Sequence, residues 1–205
     1  MSNNQNHGFM FEDLIKTKMG VEEVIPYTEI FDIPVPLTKI NTSVKTTKTN
    51  TVCLGDASRV FSYETDVVFV VGKYKQNSGE KVFNEIYEIL VKQDDWAKLR
   101  GDISAQSVSN FHEGIRNFGV GEHVEARKFS REMKSQLNQQ GQSVIKLNPK
   151  IDSKTQRRLQ CSVGLDALLE NASMYKVYDG KYGDINLPLS IESSSRVFNK
   201  RENNE

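Results

Sequence analysis

Two periodicities alternate along the chain. Phe9, Leu14 and Ile15, with Phe11 nearby, recur at a helical period in GFMFEDLIKTKMG, and Gly20 is a C-terminal stop, which predicts a helix from Gly8. Residues 21–33 carry Val21, Val24, Ile25, Tyr27, Ile30 and Ile33 among Pro26, Pro34 and Pro36. The prolines exclude a helix and predict an extended arm at an edge. A turn over Pro36 to Asn41 leads into TSVKTTKTNTVCL, whose Thr and Val content fits strands with a polar face. Within it Thr42 to Thr47 reads as one strand; Val52 to Leu54 leads to a turn at Gly55-Asp56, and Ala57 to Phe61 starts a short helix. The near-continuous apolar run DVVFVVGKYKQ, from Asp66, predicts a central strand covered on both faces. Asn77-Ser78-Gly79 is a hairpin signal. The following KVFNEIYEILV fits both periods, and the turn before it assigns it to a strand.

The period then changes. Asp94 is placed to cap a short helix through Leu99 that carries Trp96, the chain's one tryptophan. Ser104 caps another, with Val108, Phe111, Ile115 and Phe118 on one stripe, and a third runs from Glu122 to Gln139 with Val124, Phe129, Met133 and Leu137 on one face. Three successive helices after a meander predict a helical layer on the sheet. Gln142 to Leu147 reads as a strand ended by Asn148-Pro149, and Leu159, Cys161 and Val163 alternate in a half-buried strand. Leu165 to Asn171 is a short helix, and Tyr175, Val177, Tyr178 and Tyr182 lie in a Gly/Asp-rich hairpin. The expected class is α/β, with a mixed central sheet and flanking helices. One domain is expected over 8–198, comprising a core of about 8–92 and a helical part of about 93–198, between loose tails at 1–7 and 199–205.

Composition changes this picture little. The 27 Lys and Arg balance 27 Asp and Glu, so overall charge points to no polyanionic partner. Cys53 and Cys161 lack a Cys or His at metal-ligand spacing and read as free, buried thiols of a reducing compartment. With no membrane-length apolar run and no secretory signal in MSNNQNHGF, a cytoplasmic location is expected. There is no Gly-rich phosphate loop or dinucleotide fingerprint, and His7, His112 and His123 share no segment with a candidate nucleophile.

What remains is carboxylates, a lysine and local basic residues. Lys45 follows Asp32 by thirteen residues. If the arm and the strand pair, the two side chains meet at one end of a small sheet. There the acid can hold a divalent ion while the lysine orients or deprotonates a water. The plain alternative is a turn-capping Asp and a solvated lysine. Glu12, in the preceding helix, either faces water or joins this pair. Lys150, Lys154, Arg157 and Arg158 form a basic cluster. They are either a solvated strand face or phosphate contacts, and adjacent arginines on a strand point to opposite faces.

The order Gly8-x-x-Phe11-Glu12, then Asp32, then Ser43-Val44-Lys45 resembles the core of the PD-(D/E)XK nuclease superfamily, over roughly residues 8–75. Chain size and the run NTSVKTTKTNTVCLGDASRVF are similar to those of Type II restriction endonucleases. The resemblance implies a restriction-endonuclease-like core and a Mg²⁺-dependent, sequence-specific endonuclease on double-stranded DNA. It implies a homodimer, with a companion DNA methyltransferase as a further partner. Asp32 and Glu12 would hold the metal, Lys45 would position the attacking hydroxide, and Arg157, Arg158, Lys154 and Lys48 would contact DNA. Ile33-Pro34 follows the Asp where the family more often has Pro before it. Ser43 stands where the family has an acid, so Glu12, Asp56 or Glu64 supplies the missing carboxylate. The alternatives are a DNA repair or junction-resolving nuclease, and a non-catalytic DNA-binding protein of the same fold.

Overall fold

The computed structural model describes residues 6–21, 30–35, 37–77 and 79–192. In chain order the elements are α1 (Asn6–Lys18), β1 (Asn41–Thr47), β2 (Thr51–Asp56), α2 (Ala57–Phe61), β3 (Val67–Asn77), β4 (Glu80–Val91), α3 (Asp95–Arg100), α4 (Ala105–Arg116), α5 (His123–Gln140), β5 (Lys146–Ile151), β6 (Arg157–Gly164), α6 (Leu165–Asn171), β7 (Met174–Tyr178), β8 (Lys181–Tyr182), β9 (Ile185–Asn186) and β10 (Leu189–Glu192).

The apolar run of β3 lies at the centre, as its composition predicts. β1 pairs with it in parallel, from Asn41 opposite Val67 to Thr47 opposite Lys73, and β4 pairs antiparallel on the other side across the Asn77/Glu80 hairpin. The far edge of β4 is shared end to end by two short antiparallel strands, β10 against Glu80 to Phe83 and β7 against Ile86 to Leu90. The result is a mixed five-stranded sheet. A second, antiparallel sheet has the order β2-β6-β5, and β8-β9 is a separate hairpin.

Alternation along the strands sorts the core into two clusters on opposite faces of the main sheet. On one face Val44, Val70, Phe83 and Ile86 meet Phe11 and Ile15 of α1, together with Tyr182, Ile185 and Ile191. Phe11 and Phe83 stack with ring centroids 4.6 Å apart, directly over Gly72. A Cβ there would come within 2.5 Å of Phe11 Cζ, so this position needs a residue without a side chain for α1 to dock. On the other face Val67, Phe69, Val71, Tyr87 and Ile89 join Val52, Leu54, Leu147, Leu159, Cys161 and Val163 of the small sheet, with α2, α3, α4 and α6 filling the sides.

The strands of the Thr-rich stretch, β1 and β2, form as expected and enter different sheets. Several expectations need correction. The three helices do not form one layer on the main sheet: Trp96 of α3 meets Phe69 of β3, whereas α4 packs on β6 and α5 on β5 of the small sheet. The strand expected to end before Pro149 runs through it, and β5 tolerates the proline because it is the edge of its sheet. Asp94 makes no capping bond; Asp95 accepts from Lys92 N at 3.0 Å instead. Phe9 and Val124 are exposed, and the buried face of α5 runs through Ala126, Ser130 and Leu137. Cys53 is exposed; Cys161 is buried, which pushes its thiol pKa up. Tyr175 and Tyr182 do not share one hairpin, because β7 joins the main sheet. The expected tail 199–205, residues 1–5 and most of the arm (22–29) lie outside the described residues.

Candidate active site

Because Val44 is buried beneath α1, its neighbours Ser43 and Lys45 point to the opposite face of β1. The outer edge of β1 takes one antiparallel bridge, in which Ile33 N donates to Thr42 O (3.0 Å) and Thr42 N to Ile33 O (2.8 Å). Ile33 packs into the α1 cluster, so the preceding residue, Asp32, faces the same way as Ser43 and Lys45. The next outward backbone donor, Val44 N–H, has no strand beside it and is met by the Asp32 carboxylate. Asp32 Oδ2 accepts from Val44 N at 2.6 Å, Lys45 Nζ at 2.9 Å and Ser43 Oγ at 3.0 Å. The turn between the two arms is held by Leu37 N to Pro34 O, Val35 N to Asn41 Oδ1 and Thr38 Oγ1 to Ile40 O.

The Asp32–Lys45 pair is partly open to solvent, with side-chain exposures of 26% and 20%. Phe31 packs on Tyr63 at 5.0 Å, tying the arm to the end of α2, and Arg59 Nη1 reaches Ile30 O. Burial pushes the Tyr63 phenol pKa up. Arg59 opposes that shift, and the charges of Asp32, Cys161 and Asp56 add to it. Tyr63 is thus a common neighbour of Asp32 and Asp56.

The structure separates the other carboxylates. Glu12 pairs with Lys16 one turn along α1 at 2.6 Å, and no recorded bond joins it to Asp32 or Lys45. That pairing does not support the metal-ligand role expected of Glu12. Asp56 caps α2 by accepting from Arg59 N at 3.0 Å, and Glu64 is exposed. Among the described residues no three Asp, Glu, His or Cys side chains gather as a metal site.

The basic cluster divides as strand alternation requires. Arg157 is buried, with Nη1 donating to Asp152 O and Gln156 O and Nη2 to Gly119 O. Arg157 thus ties the β5–β6 loop to the α4–α5 connection while its Nε is buried with no partner among the described residues, a placement that does not favour its expected role as a DNA contact. Arg158 points outward and is exposed, opposite Lys150 in the ladder. Lys154 is exposed in the loop, and Lys48 is exposed just beyond the end of β1. None of Arg158, Lys150, Lys154 and Lys48 has an ion-pair partner among the described residues.

Two groupings were not legible in the sequence. His112 of α4 is buried, with Nδ1 3.0 Å from Ser58 Oγ and 3.7 Å from Asp56 Oδ2. Both partners face the same nitrogen and Nε2 is buried with no partner, whereas a Ser-His-Asp triad uses both ring nitrogens. The grouping ties α2 to α4. The second brings His7, Thr46, Tyr74 and Lys81 together across α1, β1, β3 and β4.

No family model matches the chain, and neither does any curated protein or solved structure.

Proposed function

We propose that this chain is a divalent-metal-dependent endonuclease that hydrolyses phosphodiester bonds of double-stranded DNA in the manner of a Type II restriction enzyme. One observation carries the reading. Asp32 and Lys45, thirteen residues apart on the two sides of one turn, meet at 2.9 Å at the edge strand β1, partly open to solvent and on the face away from α1. The sequence of helix, Asp arm and Ser-Val-Lys strand carries the residues on which the resemblance rests, and β2, which follows the lysine strand, enters a separate sheet.

The donor set fits a hard cation held largely by substrate. Mg²⁺ sites in phosphoryl chemistry commonly use one or two carboxylates, with waters and phosphate oxygens completing the shell. Asp32 would hold the ion through Oδ1, which accepts no hydrogen bond among the described residues, with Glu12, Asp56 or Glu64 supplying the second carboxylate. The bound ion supplies Lewis-acid polarisation of the phosphate and a more acidic water. The protein's own groups do the positioning. Ser43 Oγ, Val44 N and Lys45 Nζ fix the carboxylate in one orientation. Lys45 has further N–H donors free to orient the attacking water or to meet charge on the phosphate. Arg158, Lys154 and Lys48 supply exposed, unpaired charge for backbone phosphates. Because the two strands of a duplex are related by two-fold symmetry, a homodimer is the assembly that cuts both. A companion DNA methyltransferase would protect the cell's own sites. On this reading the protein acts on DNA in the cytoplasm; among the described residues no helix is long and apolar enough to cross a membrane.

A second reading has an observation of its own. Lys45 neutralises the Asp32 carboxylate, and among the described residues no further metal-binding group gathers beside them, which suits a DNA-binding protein without catalysis. Incubation with long duplex DNA, with and without Mg²⁺, separates the readings. Discrete fragments support the restriction enzyme and a smear supports a repair-type nuclease. Binding without cleavage sinks the catalytic proposal.

A further inference from the structure

On the opposite face of β1, Lys81 presents an anomaly. It retains 9% exposure, and among the described residues no Asp or Glu pairs with it. Its Nζ lies 2.7 Å from His7 Nδ1 and 4.9 Å from the centre of the Tyr74 ring. Withdrawing an ammonium from water without a counter-charge is unfavourable, and a cation–π contact compensates only in part. Burial, and then the charge of Lys48, push the Lys81 pKa down, so a second cation adds to the imbalance. His7 offers no charge in return, since burial and Lys81 together hold its pKa down to about 4. With Nδ1 accepting from Lys81, the neutral ring carries its proton on Nε2. That N–H faces Thr46 Oγ1 at 3.5 Å, too far for a good hydrogen bond. Lys81 has two more N–H donors, and Thr46 has a hydroxyl. His7, Thr46 and Tyr74 are each half-buried, so the group lies near the surface.

We propose that Lys81, His7 and Thr46, walled by Tyr74, form an oxyanion site that takes a phosphate group. On the nuclease reading, that phosphate belongs to the DNA backbone. The chemistry is one of converging donors around a positive centre with no acceptor of opposite charge, which a phosphate completes. Thr46 directly follows Lys45 on β1, so the site lies across the strand from the Asp32–Lys45 pair, with Lys48 at the strand's end. Identification of a phosphate rests on the donor set alone; its bearer rests on the proposed function.

The experiment has two arms. In the first, thermal unfolding of the full chain is followed as inorganic phosphate replaces chloride at constant ionic strength, for the wild type, Lys81→Met and Thr46→Val. Replacing an unpaired buried ion by an apolar side chain of similar shape commonly preserves the fold, so Lys81→Met is a usable variant. The expected result is a phosphate-specific rise in Tm in the wild type that is lost in Lys81→Met and reduced in Thr46→Val. Equal rises in the wild type and Lys81→Met, or no rise in the wild type, overturn the site. In the second arm the salt dependence of duplex binding is measured. Lys81→Met is expected to lower the log–log slope by about 1. An unchanged slope in a chain that binds DNA overturns the assignment of the phosphate to DNA. A wild type that neither binds nor cuts DNA sinks the nuclease reading, while the phosphate arm still decides the site.

Discussion

Asp32 concentrates the chemistry of the candidate site in one side chain. Three donors converge on Oδ2 and leave Oδ1 open, so the residue is held by the protein on one side and can hold a ligand on the other. Asp32→Ala removes the open oxygen while leaving the exposed cations in place. Cleavage should therefore be abolished and duplex affinity nearly retained, as read by paired cleavage and binding titrations; cleavage at the wild-type rate would remove Asp32 from the site. His7 carries a prediction of a different kind. It is faced by Lys81 from β4, by Thr46 of β1 and by Tyr74 of β3. Its folded pKa, about 4, lies below the ordinary value of 6.5. Between pH 6.5 and 4 the unfolded chain binds a proton there and the folded chain does not. His7's contribution to stability is thus complete above pH 6.5 and is lost as pH falls through this window. Urea midpoints for the wild type and His7→Gln should converge or cross as pH falls from 6.5 to 4 and run parallel above pH 7. Parallel curves throughout would contradict the assignment. His112, also held down by burial, acts with the same sign in both proteins.

At the scale of elements, β6 shows how one strand divides neighbouring residues between structure and function. Arg157 closes a loop through three carbonyl bonds, and Arg158 faces solvent across from Lys150. Arg157→Ala should lower stability by roughly 1–3 kcal/mol, because it removes a buried side chain and its hydrogen bonds to the carbonyls of Asp152, Gln156 and Gly119. Arg158→Ala should leave stability nearly unchanged and reduce the salt slope of DNA binding by about 1. Denaturant titration and binding isotherms check both, and the reverse pattern would contradict the strand's register. The sequence could show that two adjacent arginines diverge, but not which one turns inward. That depends on Gly119 O, supplied from a distant connection. The same limit explains α5, where hydrophobicity named Val124 but packing against β5 selects Ala126 and Ser130. The start of α4 at Ser104, which accepts from Ser107 N, and the β3–β4 hairpin were legible because each rests on local capping or turn chemistry, whereas α1 starts at Asn6, two residues before the expected Gly8. Pro149 misled because a proline ends a central strand but not an edge strand, and edge position is a tertiary fact.

At the scale of the whole molecule, the main sheet separates two polar clusters that share β1. Asp32 and Lys45 face the small sheet, while His7, Thr46 and Lys81 lie on the α1 side. The first was legible in sequence because both partners flank one turn. The second was not, because His7 and Lys81 meet only once α1 and β4 are folded together. The assignment of separate sheets to β1 and β2 was likewise hidden, since both strands share one Thr-rich composition. The central claim is that Lys45, positioned by Asp32, acts in the chemical step. The most direct test is single-turnover cleavage of duplex DNA with saturating enzyme and Mg²⁺, comparing wild type, Lys45→Ala and Lys48→Ala. Lys45→Ala should slow cleavage of bound DNA by roughly 10²-fold or more. Lys48→Ala should act on affinity instead, because Lys48 lies beyond the strand. A Lys45→Ala rate within a few-fold of wild type, or a chemical step lost in Lys48→Ala alone, would contradict the account.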